Sequence, residues 1–141
     1  MSNKLAIEYL NGPGPIKWLS SPIEEWENNH DFIQWLFPTS TPSKFNPYAP
    51  VLTSHIGEYL TQSAKAMYLA NTFLFLSYFD YYGKLDYNHW MLRATRVADS
   101  YDFCIGNSRF LSKSRLMELI LGCMSVENNQ RWSDFYEKTH T

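Results

Sequence analysis

A chain of 141 residues carrying a formal charge of -2 has the size of one domain, and it can bury a real core without disulfide or metal staples. Twelve Lys plus Arg against fourteen Asp plus Glu give no general pull toward a phosphate backbone or an anionic bilayer, so nucleic acid is not an expected partner. Five Trp, ten Tyr and nine Phe mean that large planar side chains dominate packing, and the same residue types line pockets and interfaces.

The first segment, KLAIEYL, predicts one or two helical turns that NGPGP breaks. The break is not a phosphate cradle: Pro13 and Pro15 have no N–H, and no Gly-Lys-Ser or Gly-Lys-Thr follows. Nor does this N-terminal segment carry the long apolar core of a secretory signal. Cys104 and Cys123, which form no C-x-x-C pair, therefore read as buried thiols of a reducing compartment, with a bridge between neighbouring helices as the lesser alternative, and the expected location is cytoplasmic. In SSPIEEWENN, Ser21 is the expected cap of a short helix, with Pro22 at its first position and Glu24 reaching back.

The stretch NHDFIQWLFP, residues 29–38, concentrates Phe32, Ile33, Trp35, Leu36 and Phe37 ahead of a proline. Asn29 or Asp31 can cap a short helix there that Pro38 ends, with a strand as the competing reading. Either way the segment is apolar on nearly all sides and must be enclosed. Four prolines within residues 38–50 predict an extended surface crossing, pinned by Phe45 and Tyr48. Thr53 is the expected cap of a short helix over residues 53–60. A longer one then runs to Tyr82, with Gly83 as its stop. That helix is apolar most of the way round, which places it in the middle of a bundle. Its uncharged run, residues 66–79, falls short of the roughly 20 residues a bilayer span needs.

Asp86 or Asn88 opens the next helix, which continues to Cys104, and Gly106 with Asn107 supplies the turn after it. Helical spacing puts Trp90, Ala94, Val97, Ala98, Tyr101 and Ile105 on one stripe, with Thr95, Asp99 and Asp102 toward water. Arg93, Arg96 and Ser100 form the other flank. A further helix is expected over residues 108–124, burying Leu116, Leu119, Ile120 and Cys123, and a last one over 130–138 using Trp132, Phe135 and Tyr136. The expected architecture is all-α: a single domain over residues 1–141, built as a compact irregular bundle of about six to seven helices with a proline-rich crossing segment.

Asn29, His30, Asp31, Phe32, Ile33, Gln34, Trp35, Leu36, Phe37 and Pro38 together resemble the signature of the opioid growth factor receptor conserved domain. NHWMLRATRVADSYDFCIG resembles that family's Asn-His pair and two-arginine helix, through Asn88, His89, Leu92, Arg93, Thr95, Arg96 and Gly106. VENNQRWSDFY is similar to the closing helix of its short, bacterial-type members. The resemblance covers residues 26–138 and implies a shared helical domain. It does not carry over peptide binding, for which no contact motif is there to match. Within it His30, Gln34, Trp35, Pro38, Asn88 and His89 are expected to be fold signatures with structural duty.

Chemistry is sparse. His30, His55, His89 and His140 include no pair at the spacing that aims two ligands at a metal, so no metal site is expected. No nucleophile elbow or local cysteine signature occurs, no cofactor is implied, and Glu24, Glu25, Asp80 and Asp86 read as solvated helix ends. Arg93 and Arg96 carry the sharper alternative. Either they pair with Asp99, Asp102 or Glu118, or they hold an anion beside Ser100, with Trp90, Tyr101 or a tyrosine among Tyr78, Tyr81 and Tyr82 as the apolar wall. The expected function is a non-enzymatic interaction domain for a peptide or protein partner. A binder of a small anionic ligand, nucleotide-like ones included, is the alternative, with an enzyme third. A peptide module should show an exposed apolar groove, a small-ligand binder an enclosed aromatic pocket with Arg at its mouth, and an enzyme a cleft of converging titratable groups.

Overall fold

All seven prolines precede residue 51, and this asymmetry divides the molecule. A computed structural model describes residues 2–29, 32–43, 46–82, 87–106 and 108–140. The proline-bearing part contains four short helices: α1 (Ser2–Asn11), α2 (Ile16–Leu19), α3 (Ile23–Asn28) and α4 (Ile33–Leu36). After a 3-10 turn at Gly57–Tyr59 the proline-free part forms α5 (Gln62–Tyr82), α6 (Tyr87–Cys104), α7 (Lys113–Gly122) and α8 (Val126–His140). The fold is all-α. The only β feature among the described residues is an isolated bridge between Thr39 and Val51. Expectations for His30, Asp31, Phe45, Gly83, Asp86 and Asn107 lie outside the described residues, as do those for the side chains of Tyr82, Asn88, His89 and His140.

Several caps differ from the sequence expectation. Ser21 does not cap α3: Pro22 is the N-cap, at extended ψ 158°, and makes no side-chain bond. The single turn of α2, which the sequence reading did not anticipate, ends just before and leaves carbonyls open. Ser20 and Ser21 both donate to Lys17 O, at 3.3 and 2.8 Å. Asn29 closes α3 rather than opening α4, its amide donating to Glu25 O and Oε2 at 2.9 Å each. Thr53 is tied to α1 instead of starting a helix, since its N–H donates to Asn3 Oδ1 at 2.9 Å and its hydroxyl accepts from Asn3 Nδ2 at 3.2 Å. Thr61 caps the long helix, accepting from Ala64 N at 3.0 Å. Asn88 is helical rather than a cap, because α6 begins at Tyr87. Ser108 folds a separate turn by accepting from Phe110 N and Leu111 N, so α7 starts later than expected, with Ser112 accepting from Arg115 N at 3.1 Å. Gly106 ends α6 as expected, at φ 78°.

The core gathers around α5, which packs against α1, α2 and α6. Ala64, Tyr68, Thr72, Phe75, Leu76 and Phe79 are buried along it, while Phe73, 41% exposed, marks a side the bundle leaves open. Within NHDFIQWLFP the described apolar residues are enclosed except Trp35, which is half-buried. Phe32, Ile33, Leu36 and Phe37 are buried, and Phe37 lies edge-on to Tyr68 at 5.4 Å between ring centroids. The crossing segment is held differently from expectation: Tyr48 is 86% exposed, and anchoring falls to buried Thr39, Ala49 and Leu52, with Leu52 N donating to Thr39 O at 2.8 Å.

On α6 the expected stripe is buried, Ile105 only partly. The face assigned to water is instead where α8 docks. Trp132 Nε1 donates to Thr95 Oγ1 at 3.0 Å, and the Tyr136 hydroxyl donates to Asp99 Oδ1 at 3.1 Å. Asp102 is exposed and pairs with Lys113 at 2.7 Å, joining α6 to α7.

Candidate functional site

The arginine flank of α6 is directed at two helix ends. Arg93 is 4% exposed; its Nη1 donates to Trp26 O at 2.5 Å and its Nη2 to Asn29 O at 2.9 Å, both at the C-terminal end of α3. The guanidinium also lies against the Trp90 and Phe32 rings, at 4.8 and 5.4 Å. Arg96, half-buried, repeats the arrangement one turn later, with Nη1 toward Phe37 O at 3.4 Å and Nη2 to Thr41 O at 3.2 Å. Helix C-termini present unpaired carbonyls and a negative dipole end, a need that Arg93 meets on α3 and Arg96 meets at Phe37, while its bond to Thr41 O reaches the crossing segment beyond α4. Burial lowers the Arg96 pKa, opposed by the nearby Asp99 carboxylate.

The remaining candidates on this flank are buried among protein partners. Trp90 donates to Glu27 Oε2 at 2.6 Å, Tyr101 donates its hydroxyl to Leu111 O, and Ser100 accepts from Tyr68 OH at 2.9 Å. The carboxylates weighed as partners for the arginines have other bonds: Asp102 with Lys113, and Glu118 with Arg115 at 3.0 Å. Among the fold-signature residues, Gln34 is buried with its amide donating to Ser43 Oγ at 3.3 Å, and Pro38 is buried. Trp35 is half-buried and faces a groove.

That groove, about 420 Å³ in volume, is lined by Tyr9, Gly14, Lys17, Trp18, Phe32 and Trp35. It is open to solvent. Its floor is the stacked pair Trp18 and Phe32, with centroids 4.0 Å apart and planes at 19°. Its wall is Tyr9 against Trp35, 5.4 Å apart and tilted by 59°. The glycine and proline break after α1 makes this geometry possible. Asn71 Nδ2 on α5 holds Pro15 O at 3.2 Å, and Trp26 Nε1 holds Trp18 O at 3.1 Å, so the turn carrying Lys17 and Trp18 is fixed from beneath. Gly14 lies so close to Tyr9 that a Cβ there would sit 2.4 Å from the ring. Burial raises the Tyr9 pKa, with a hydrogen bond from Trp18 opposing. The Lys17 ammonium sits 5.1 Å from the Trp18 ring centroid and makes no ion pair among the described residues. The Trp35 indole N–H likewise finds no acceptor among them.

Of these six positions the sequence reading assigned Trp35 to the fold and Phe32 to the core, and it passed over Tyr9, Gly14, Lys17 and Trp18. The available signal was a cation next to a tryptophan, directly after a glycine and proline turn. Among the described residues no group of three or more His, Cys, Asp or Glu comes close enough to hold a metal, and no helix is long and apolar enough to cross a membrane. Cys104 and Cys123 are free thiols. No family model, no curated protein and no solved structure matches the chain.

Proposed function

We propose that the protein is a non-enzymatic interaction domain that receives a segment of a partner peptide or protein in the groove between Tyr9 and Trp35. The observation that carries this reading is an open aromatic groove in which Lys17 makes no ion pair and the Trp35 indole N–H no hydrogen bond among the described residues. An enclosed pocket with arginine at its mouth would favour the small-anion alternative, but Arg93 and Arg96 donate to backbone carbonyls. Aromatic surfaces with a few donors suit extended peptides, whose backbone offers carbonyls at regular intervals. Kinship with the opioid growth factor receptor conserved domain belongs to this proposal, resting on residues 29–38 and 88–106. So does a cytoplasmic location, which the two free thiols favour.

Selection of random displayed peptides on the immobilised protein tests the reading. Recovered sequences should bind the wild type and lose binding to Trp35→Ala, with circular dichroism verifying that the variant is folded. Peptides that bind a folded Trp35→Ala protein as tightly as wild type would remove the groove from consideration.

A further inference from the structure

We infer that the Asn11–Gly12 step is a site of spontaneous deamidation, held in check by the clamp between α1 and residues 57–61 and able, once converted, to undo that clamp. Asn11 is the only asparagine in the chain that a glycine follows. A neighbour without a side chain leaves the backbone nitrogen unshielded and lets the chain turn until that nitrogen meets the asparagine's own Cγ. Both residues are exposed, so the water that the reaction consumes reaches them.

The step balances with water alone. Gly12 N gives up its proton and attacks Asn11 Cγ; a bond forms between them, the Cγ–Nδ2 bond breaks, and Nδ2 leaves as ammonia with that proton. Water then opens the cyclic imide at either carbonyl. Opening on one side yields aspartate. Opening on the other yields isoaspartate, which routes the main chain through the former side chain and adds a methylene to it. Nothing is oxidised or reduced.

In the fold both reacting groups are occupied. Gly12 N–H donates to Tyr9 O at 3.1 Å. The Asn11 amide stands in for a peptide group: it donates to Tyr59 O at 3.0 Å and accepts from Thr61 N at 3.0 Å. Attack therefore waits for the last turn of α1 to fray, an opening that helix ends make readily. Conversion changes the inventory. A carboxylate only accepts, so the bond to Thr61 N survives, while the Tyr59 carbonyl loses its donor and faces a charged oxygen. Thr61 also caps α5, accepting from Ala64 N at 3.0 Å, so the loosened clamp reaches the start of the central helix. Asn3 clamps the other end of α1 to Thr53 and Ser54 but precedes Lys4, which makes it a built-in control.

The test incubates the full chain at mildly alkaline pH, folded and in urea, and follows every asparagine by peptide mass spectrometry. A protease that cuts before aspartate but not isoaspartate tells the two products apart. Conversion should concentrate at Asn11, give both products and quicken with pH, since the attacking nitrogen must lose its proton. It should run about thirtyfold slower folded than in urea, the factor that two ordinary hydrogen bonds supply. Asn3 should stay unconverted in the folded chain over the same interval. Asn11→Asp should speed hydrogen exchange in α1 and in residues 57–61 while leaving the middle of α6 unchanged. Conversion that starts at another asparagine, or that is as fast folded as in urea, overturns the inference. So does an Asn11→Asp protein whose α1 exchanges as slowly as in the wild type.

Discussion

Arg93 shows what one residue can do when its charge is spent on backbone. Two carbonyls at the end of α3 and two aromatic faces receive its guanidinium at 4% exposure. Arg93→Ala should therefore lower stability by about 3 kcal/mol in urea unfolding, since charge-assisted bonds contribute about 1.5 to 3 kcal/mol each and buried carbonyls would be left open. Arg96→Ala, with longer bonds and partial exposure, should cost about 1 kcal/mol; equal losses at the two positions would contradict this ranking. The three-residue spacing of the arginines was legible in the sequence. Their partners were not, because every residue carries a carbonyl and nothing in a sequence says which ones a fold leaves unpaired. Cys104 makes a separate prediction about pH. Burial pushes its thiol from 9.0 up to about 12, with hydrogen bonds from Ser100 and Tyr68 opposing. The folded value lies above the unfolded one, so the stability tied to the neutral thiol is full below pH 9 and is lost as pH rises toward 12. The loss is about 1.4 kcal/mol per pH unit while only the unfolded chain ionises. Burial also raises Tyr68 and Tyr101, which add to the loss at higher pH. Urea midpoints should stay level to pH 8.5 and then fall, and Cys104→Ala should move the onset up toward the tyrosine range near about pH 10. An onset indifferent to that substitution would mean the thiol does not control it.

At the scale of elements, α6 was the best-read helix and also the most instructive error. Its apolar stripe followed from spacing alone, because burial of large side chains at three- and four-residue steps leaves few other solutions. Thr95 and Asp99 were assigned to water for being polar, yet they are the acceptors on which α8 docks through Trp132 and Tyr136. Polarity predicts a need for partners, and water is only one of them. The caps failed for a related reason: Ser21 and Thr53 are good cap residues by type, but neighbouring open carbonyls and Asn3 claimed them first. Trp132 is 1% exposed, so Trp132→Ala should cost about 3 to 5 kcal/mol by leaving a cavity between α8 and α6. Tyr136→Phe, which keeps the ring and removes the hydroxyl bonded to Asp99, should cost about 1 kcal/mol. Both are measurable as shifts in urea midpoint. A Trp132→Ala protein as stable as Tyr136→Phe would show that α8 is held by its polar bonds rather than by the buried indole.

The groove belongs to the whole molecule, since it exists only where α1, the turn after it, α2 and the α4 segment meet. Its six lining residues all fall within residues 9–35, yet no single helix or turn holds more than two of them. Phe32 is enclosed as expected, whereas Trp35, expected to be enclosed with it, is half-buried at the open groove; Tyr9 and Trp18 lie more than a dozen residues upstream of Trp35, and their convergence depends on how NGPGP turns the chain. Gly14 controls that convergence. Its missing side chain lets the Tyr9 ring lie against the backbone, and a Cβ would come within 2.4, 2.9 and 3.1 Å of Tyr9 Cε2, Cζ and Cδ2. Gly14 does not have a positive φ, so alanine is tolerated there by the backbone and the strain falls on the ring alone. An aromatic ring edge can rotate away at small cost, but Tyr9 would have to leave its 5.4 Å contact with Trp35 and change the wall of the groove. Gly14→Ala should therefore lower stability by less than about 1 kcal/mol while weakening the selected peptides about tenfold or more, the loss expected when one of two aromatic walls is displaced. Thermal unfolding and peptide titration on the same preparation separate the two effects. If Gly14→Ala retained full peptide affinity at unchanged stability, the Tyr9 wall would have no part in binding, and the site would have to be sought on another face of the bundle.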